Sequence, residues 1–112
     1  MSLTPCFRGM VNSWEADEMG HMNVRFYVHK ALQATGHFLN EIGLGPNFRR
    51  EKGLGIRIMD HHIRFLKEAR PGTPLVIMTG ALGADEAGLF VLHEVRHALT
   101  GDVCATLTGT VV

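Results

Sequence analysis

One long helical pattern followed by four strand patterns in a row constrains this chain more than anything else in it. Across residues 24–42, Phe26, Leu32, Phe38, Leu39 and Ile42 recur with the small Ala31, Ala34 and Thr35 to build an apolar stripe at helical spacing. Such a helix is roughly 28 Å long. Gly43 follows at a C-cap position and Pro46 blocks continuation. The small residues predict close packing against a sheet that wraps around the helix. Gly36, inside the pattern, costs on the order of 1 kcal/mol against Ala unless close approach compensates. Before the helix, residues 6–14 alternate as a first strand. After it come strand patterns at 55–66, 74–82, 88–98 and 103–112, separated by turn signals at 69–72, 83–86 and 100–102. Short turns make these strands antiparallel neighbours. The expected class is α+β: one long helix on a curved, five-stranded antiparallel sheet.

A chain of 112 residues is one domain, spanning 1–112, with room for a single core. Hydrophobic residues at 46% and charged ones at 20% fit a folded globular protein and argue against disorder. Lys plus Arg equals Asp plus Glu at 11 each, so no net field recruits nucleic acid or an acidic membrane. No apolar run approaches the roughly 20 residues that span a bilayer, and no charged-then-apolar leader opens the chain, so the cytoplasm is the default compartment. Cys6 and Cys104 lie far apart in apolar segments and read as buried free thiols.

Residues 14–23, WEADEMGHMN, form a polar loop with three acids, a glycine and a histidine that feeds the start of the long helix. Helix N-termini carry unpaired N–H groups and a partial positive charge, which can stabilise negative charge developing on a carbonyl oxygen. An acid beside such donors has two uses: it caps the helix, or it is a catalytic carboxylate facing an activated carbonyl. Asn23 is a good cap by type and, like His21, can also donate to a carbonyl, to water or to an acid.

The run ADEMGHMNVRFY resembles the D-x-x-G-H-x-N-x-x-x-Y signature of acyl-thioester thioesterases of the hotdog fold, the group that includes 4-hydroxybenzoyl-CoA and acyl-carrier-protein thioesterases. Asp17, Gly20, His21, Asn23 and Tyr27 fall on its positions. Val24 stands where many relatives carry a second Asn, and Phe26 where an Arg is common. The resemblance implies a hotdog fold, no metal or organic cofactor, and hydrolysis of an acyl-CoA, or secondly an acyl-carrier-protein, thioester. It implies Asp17 as nucleophile or general base, chosen over Glu15 and Glu18 by its place three before Gly20. His21 and Asn23 would assist, and backbone N–H groups around Asn23 and Val24 would hold the oxyanion. Tyr27, Phe26 and Phe38 would border the acyl group. The basic stretch 46–53, with Arg49, Arg50 and Lys52, reads either as a solvated flexible connection or as a contact for CoA phosphates. A homodimer or homotetramer is implied, with the 55–66 strand at the edge meeting its copy.

His61 and His62 lie on that strand, where alternation sends them to opposite faces and assigns His61 inward with Met59, Ile63 and Phe65. Each can be a satisfied core or interface histidine, or complete the partner's site as a substrate contact. The string His93-Glu94-Val95-Arg96-His97 matches H-E-x-x-H, which binds zinc only on a helix. On a strand the two histidines stand about 13 Å apart, too far to share an ion. Leu89, Leu92, Val95 and Leu99 could also line a helix ending at Gly101, so the local pattern leaves helix and strand open; the strand reading is the expectation, and a zinc hydrolase the lesser alternative. A non-catalytic acyl-binding or assembly domain of the same fold is the other alternative. No phosphate loop, serine elbow or Cys/His nucleophile pattern occurs.

Overall fold

The computed structural model describes residues 2–53 and 58–112, with the side chains of residues 58–61 outside the described set. Strand β1 (Thr4–Met10) leads through a 3-10 turn (Ser13–Glu15) and a polar loop into helix α1 (Val24–Glu41). A short α2 (Pro46–Lys52) precedes β2 (Ile58–Phe65), β3 (Pro74–Asp85), β4 (Gly88–His97) and β5 (Val103–Val111). The strands form one sheet in the order β1-β3-β4-β5-β2, antiparallel at each pairing. This is the α+β arrangement expected, and β2, the described part of the expected 55–66 strand, lies at an edge.

Local chemistry sets the ends of α1. The Asn23 side chain accepts the Arg25 N–H at 3.1 Å, satisfying one of the helix's open donors. At the other end Gly43 takes φ 85°, and Leu44 N–H returns to the Leu39 carbonyl at 2.7 Å. The buried face carries Tyr27, Ala31, Ala34, Thr35, Phe38 and Leu39. Against it stand Leu75, Ile77, Val91, Val95, Ala105 and Leu107, the inward alternates of β3, β4 and β5. Ala31 and Ala34 have almost no exposed surface, which is the close packing expected of small residues. Leu32 and Ile42 depart from the expected stripe, at 43% and 45% exposure. The stripe turns on Tyr27, Ala31, Ala34 and Phe38, and Leu32 lies about 100° around the helix from Ala31. Cys6 and Cys104 are buried free thiols, as expected.

The chain differs from its sequence pattern in three further places. The first strand stops at Met10, because residues 13–15 wind into a turn whose entry Asn12 is bound by the Glu15 carboxylate. The 46–53 stretch is helical rather than a flexible connection: Pro46 starts α2, where its missing N–H costs nothing, and Gly53 ends it at φ 68°. Short links made neighbours of all consecutive strands, yet β2 pairs with β5 and β3 pairs with β1 and β4. The link 66–73 therefore crosses one end of the sheet, and the Ala69 carbonyl accepts the Met22 N–H at 2.7 Å on the way. Strand β3 also runs beyond residue 82 to Asp85, through a register shift between Ala81 and Gly83.

The His93–His97 string lies on β4, as expected. His93 points into the core, where Nε2 is 3.0 Å from Thr35 Oγ1 and Nδ1 is 2.8 Å from Thr79 Oγ1. Glu94, on the opposite face, pairs with Arg96. The one-turn geometry that H-E-x-x-H requires is missing. Among the described residues no helix is long and apolar enough to cross a membrane.

Candidate active site

The loop between the 3-10 turn and α1 is a closed hairpin. Ala16 and Met22 form a bridge, Asp17 N–H donates to the His21 carbonyl at 2.8 Å, and Gly20 N–H donates to the Asp17 carbonyl at 3.0 Å. Gly20 adopts φ 79°, which only glycine takes without strain. The Asp17 carboxylate accepts the Met19 N–H at 2.9 Å and the His21 N–H at 3.1 Å, both on Oδ1. Those two bonds hold Oδ1, and Oδ2 carries no hydrogen bond among the described residues.

Beside this hairpin is a cavity of about 460 Å³, bordered by Asp17, His21, Met22, Asn23, Val24 and Tyr27 on one side. Phe65, Leu66, Lys67, Glu68 and Ala69 border it on the other. Asp17, His21, Asn23, Val24 and Tyr27 are thus brought together. Phe26, His62, Arg49 and Arg50 are not. Phe26 packs partly on the core, with Arg25 4.8 Å above its ring. Phe38 is in the core. His62 is exposed and borders a second cavity, of about 500 Å³, on the outer sheet face with Leu82, Phe90 and Thr108. Arg49 and Arg50 are on α2. The inward assignment of His61 lies outside the described residues.

The structure also separates the three acids of the loop. Glu15 is 6% exposed: Oε1 accepts from the Asn12 N–H and Nδ2, and Oε2 accepts from Lys30 Nζ at 2.9 Å. Burial alone would raise its carboxyl, but the Asn12 N–H and the Lys30 ammonium outweigh burial and hold it below the usual glutamate range. Glu18 is exposed, and of the three loop acids Asp17 is the one on the cavity lining. Asn23 N–H is already donated to the Glu15 carbonyl at 2.7 Å, so of the two expected backbone donors only Val24 N–H opens the helix without an intrahelical acceptor. His21 Nε2 lies 3.1 Å from Glu68 Oε1, and Glu68 is shared with Arg70 at 2.8 Å. Tyr27 is buried, which pushes its hydroxyl up to about 12, with a lesser push from Cys104.

Two features escaped the sequence reading. The link 66–69 reaches the cavity only because β2 and β3 are not neighbours, which no local pattern signals. Lys30 was legible: it lies three after Tyr27 and four before Ala34, on the apolar stripe, where a charge requires a buried partner.

The profile of the Thioesterase-like superfamily matches residues 11–112. The chain belongs to that superfamily. Within it, the chain is 30% identical over 89 residues to a betainyl-CoA thioesterase of Pseudomonas aeruginosa, covering 80% of this chain and 56% of that one. It is 32% identical over 96 residues to an L-carnitine dehydrogenase/betainyl-CoA thioesterase of Agrobacterium fabrum, covering 86% of this chain and 19% of that one. The chain therefore spans about half the length of the first relative and about a fifth of the second. A Staphylococcus aureus protein solved in complex with CoA superposes with a TM-score of 0.86 at 17% identity, over all of this chain and 71% of that one. At that identity the match shows the shared fold. The superfamily's hotdog fold is the architecture described above.

Proposed function

We propose that this chain hydrolyses a CoA thioester to a carboxylic acid and free CoA thiol, in the cavity beside the start of α1. One observation carries the reading: the Asp17 carboxylate and the opening residue of α1, Val24, border the same cavity. Hydrolysis needs a group that activates water or attacks the carbonyl, and a donor for the oxyanion that results. Asp17 supplies the first role. As general base it takes a proton from water while the water oxygen bonds to the carbonyl carbon; the C–S bond then breaks, and the proton passes to the departing thiolate. As nucleophile its carboxylate displaces the CoA thiolate to form an acyl-enzyme anhydride, which water cleaves to the free acid and the restored carboxylate, the released proton passing to the thiolate. The Val24 N–H stabilises the oxyanion, reinforced by the helix dipole. Asn23 uses its Oδ1 as a cap, which leaves Nδ2 to orient the carbonyl.

The acyl group we assign is a small cation of the betaine type, following the two relatives. Support comes from the Tyr27 and Phe65 rings on the cavity, since aromatic faces suit a quaternary ammonium; the Glu68 carboxylate there is shared with His21 and Arg70, and Lys67 on the same wall is paired with Asp102. Arg49, Arg50 and Lys52 of α2 are the candidate contacts for the CoA phosphates, and His61 and His62 act as further substrate contacts in an assembled oligomer.

A thiol-release assay over betainyl-, acetyl-, octanoyl- and benzoyl-CoA, with matching acyl-carrier-protein conjugates, tests the reading. We expect turnover of CoA esters and a loss of about 100-fold or more in Asp17→Ala with the fold retained. Binding of the esters without turnover would instead make this an acyl-binding domain.

A further inference from the structure

The buried pair Glu15–Lys30 has no place in the chemistry above, yet Glu15, at the base of the Asp17 hairpin, is bonded to α1 at two places, Asn23 and Lys30. Lys30 is 7% exposed, and its ammonium meets Glu15 Oε2 at 2.9 Å and lies 5.4 Å from the Phe7 ring centroid. Glu15 Oε1 receives both Asn12 donors, so the carboxylate is filled on both oxygens. The Glu15 carbonyl meanwhile accepts the N–H of Asn23, the cap of α1. Its neighbour Ala16 is bridged to Met22, closing the hairpin that bears Asp17.

Taking charges out of water is costly, and an apolar pair of similar volume usually serves stability as well. What an ion pair adds is direction. Lys30 lies seven residues after the cap, about 10 Å along the helix axis. The side-chain bond to Lys30 and the backbone bond to Asn23 therefore grip Glu15 from two points on one rigid helix. With Glu15 fixed, the position of Asp17 two residues later is fixed relative to the Val24 N–H.

We propose that Glu15 and Lys30 are positioning residues that set the Asp17 carboxylate against the first amide of α1, so that base and oxyanion donor address one carbonyl. The proposal rests on the assignment of Asp17 as the reacting carboxylate. Misplacement of a reacting group by about 1 Å can cost on the order of 100-fold in rate, whereas binding made by the rest of a CoA ester is unaffected.

The test is a cycle of three variants with the CoA ester that turns over fastest in the panel above. Glu15→Gln/Lys30→Met removes both charges together and leaves no lone buried ion. We expect its kcat to fall at least about tenfold with KM held within about threefold. Placed in the Asp17→Ala background, the same double change should move the residual rate by less than about twofold, since the group it positions is gone. If the double variant is not folded at the assay temperature, Glu15→Gln/Lys30→Leu, a second pair without charge, is read in the same cycle. An unchanged kcat with Asp17 present, or an equal fall in both backgrounds, overturns the proposal while the Asp17 assignment stands. Full activity of Asp17→Ala removes the assignment, and the positioning role with it.

Discussion

The ring of Phe65, at the end of β2, meets the ring of Tyr27 on α1 edge to face, with centroids 5.1 Å apart. Phe65 is 53% exposed and Tyr27 is buried, so one ring is anchored in the core and the other is free to meet a ligand. With its hydroxyl pushed up to about 12, Tyr27 stays a neutral phenol over the range of assay pH. Phe65→Ala removes half of the aromatic wall. A partly exposed cation–π contact is worth about 0.5–1 kcal/mol, so KM for betainyl-CoA should rise roughly two- to fivefold with kcat nearly unchanged. Equal effects on betainyl- and octanoyl-CoA would argue against a cation-selective wall.

A second expectation concerns stability. Space opens beside Gly36 of α1, where an added Cβ would meet nothing within 4 Å. Close approach therefore does not explain the glycine, and its helix penalty stands. Gly36→Ala should raise stability by about 0.5–1 kcal/mol, seen as a higher thermal midpoint. A lower midpoint would mean that this face of the helix is covered in the assembled protein.

The pH dependence follows from Glu15. Its carboxyl is depressed in the folded state, so its contribution to stability is complete above the ordinary glutamate value of about 4.3. That contribution disappears as pH falls through the lower folded-state value. Chemical unfolding at pH 7 and at pH 3 should therefore show a smaller acid loss in Glu15→Gln/Lys30→Met than in the parent chain. The same loss in both would show that other carboxylates govern the acid limb.

Assembly supplies the fourth. Strand β2 is an edge of the sheet, and Phe65 and Leu66 beside it are about half exposed on the cavity rim. Edges are normally paired or covered, and a two-fold copy of β2 would do both. We expect a homodimer, or a tetramer built from one, with the site shared between chains. Mixing inactive Asp17→Ala with inactive His61→Ala chains should then restore activity. Light scattering that shows a monomer with full turnover at nanomolar enzyme would exclude a shared site.

What could be read from the sequence was what short-range chemistry determines. Asn23 caps α1 and Gly43 closes it because both roles depend on the residue and its immediate neighbours. At His93–His97 the local pattern left helix and strand open, and it is the ladder with β3 and β5 that decides for a strand. Pro46 misled, since a proline that cannot continue one helix is well suited to begin the next. The pairing of β2 with β5 was invisible because it depends on which edge is free once the meander from β3 to β5 exists. Of the cavity beside α1, the Asp17 wall falls on the motif residues, while the 66–69 wall arrives by that non-local pairing.

The bond from Met22 to Ala69 has a consequence in time. The β3–β4 and β4–β5 hairpins close over short separations, but residue 69 cannot reach Met22 until β2 has found β5 and β3 has found β1. Contacts distant in sequence form slowly, because the intervening chain must be closed first. The docking of the Asp17 hairpin on the 66–69 link should therefore be among the last contacts to form during folding, with pulse-labelled exchange protecting the amides of β4 before that of Met22. A nascent chain would hold a nearly finished sheet before the two walls of the cavity met.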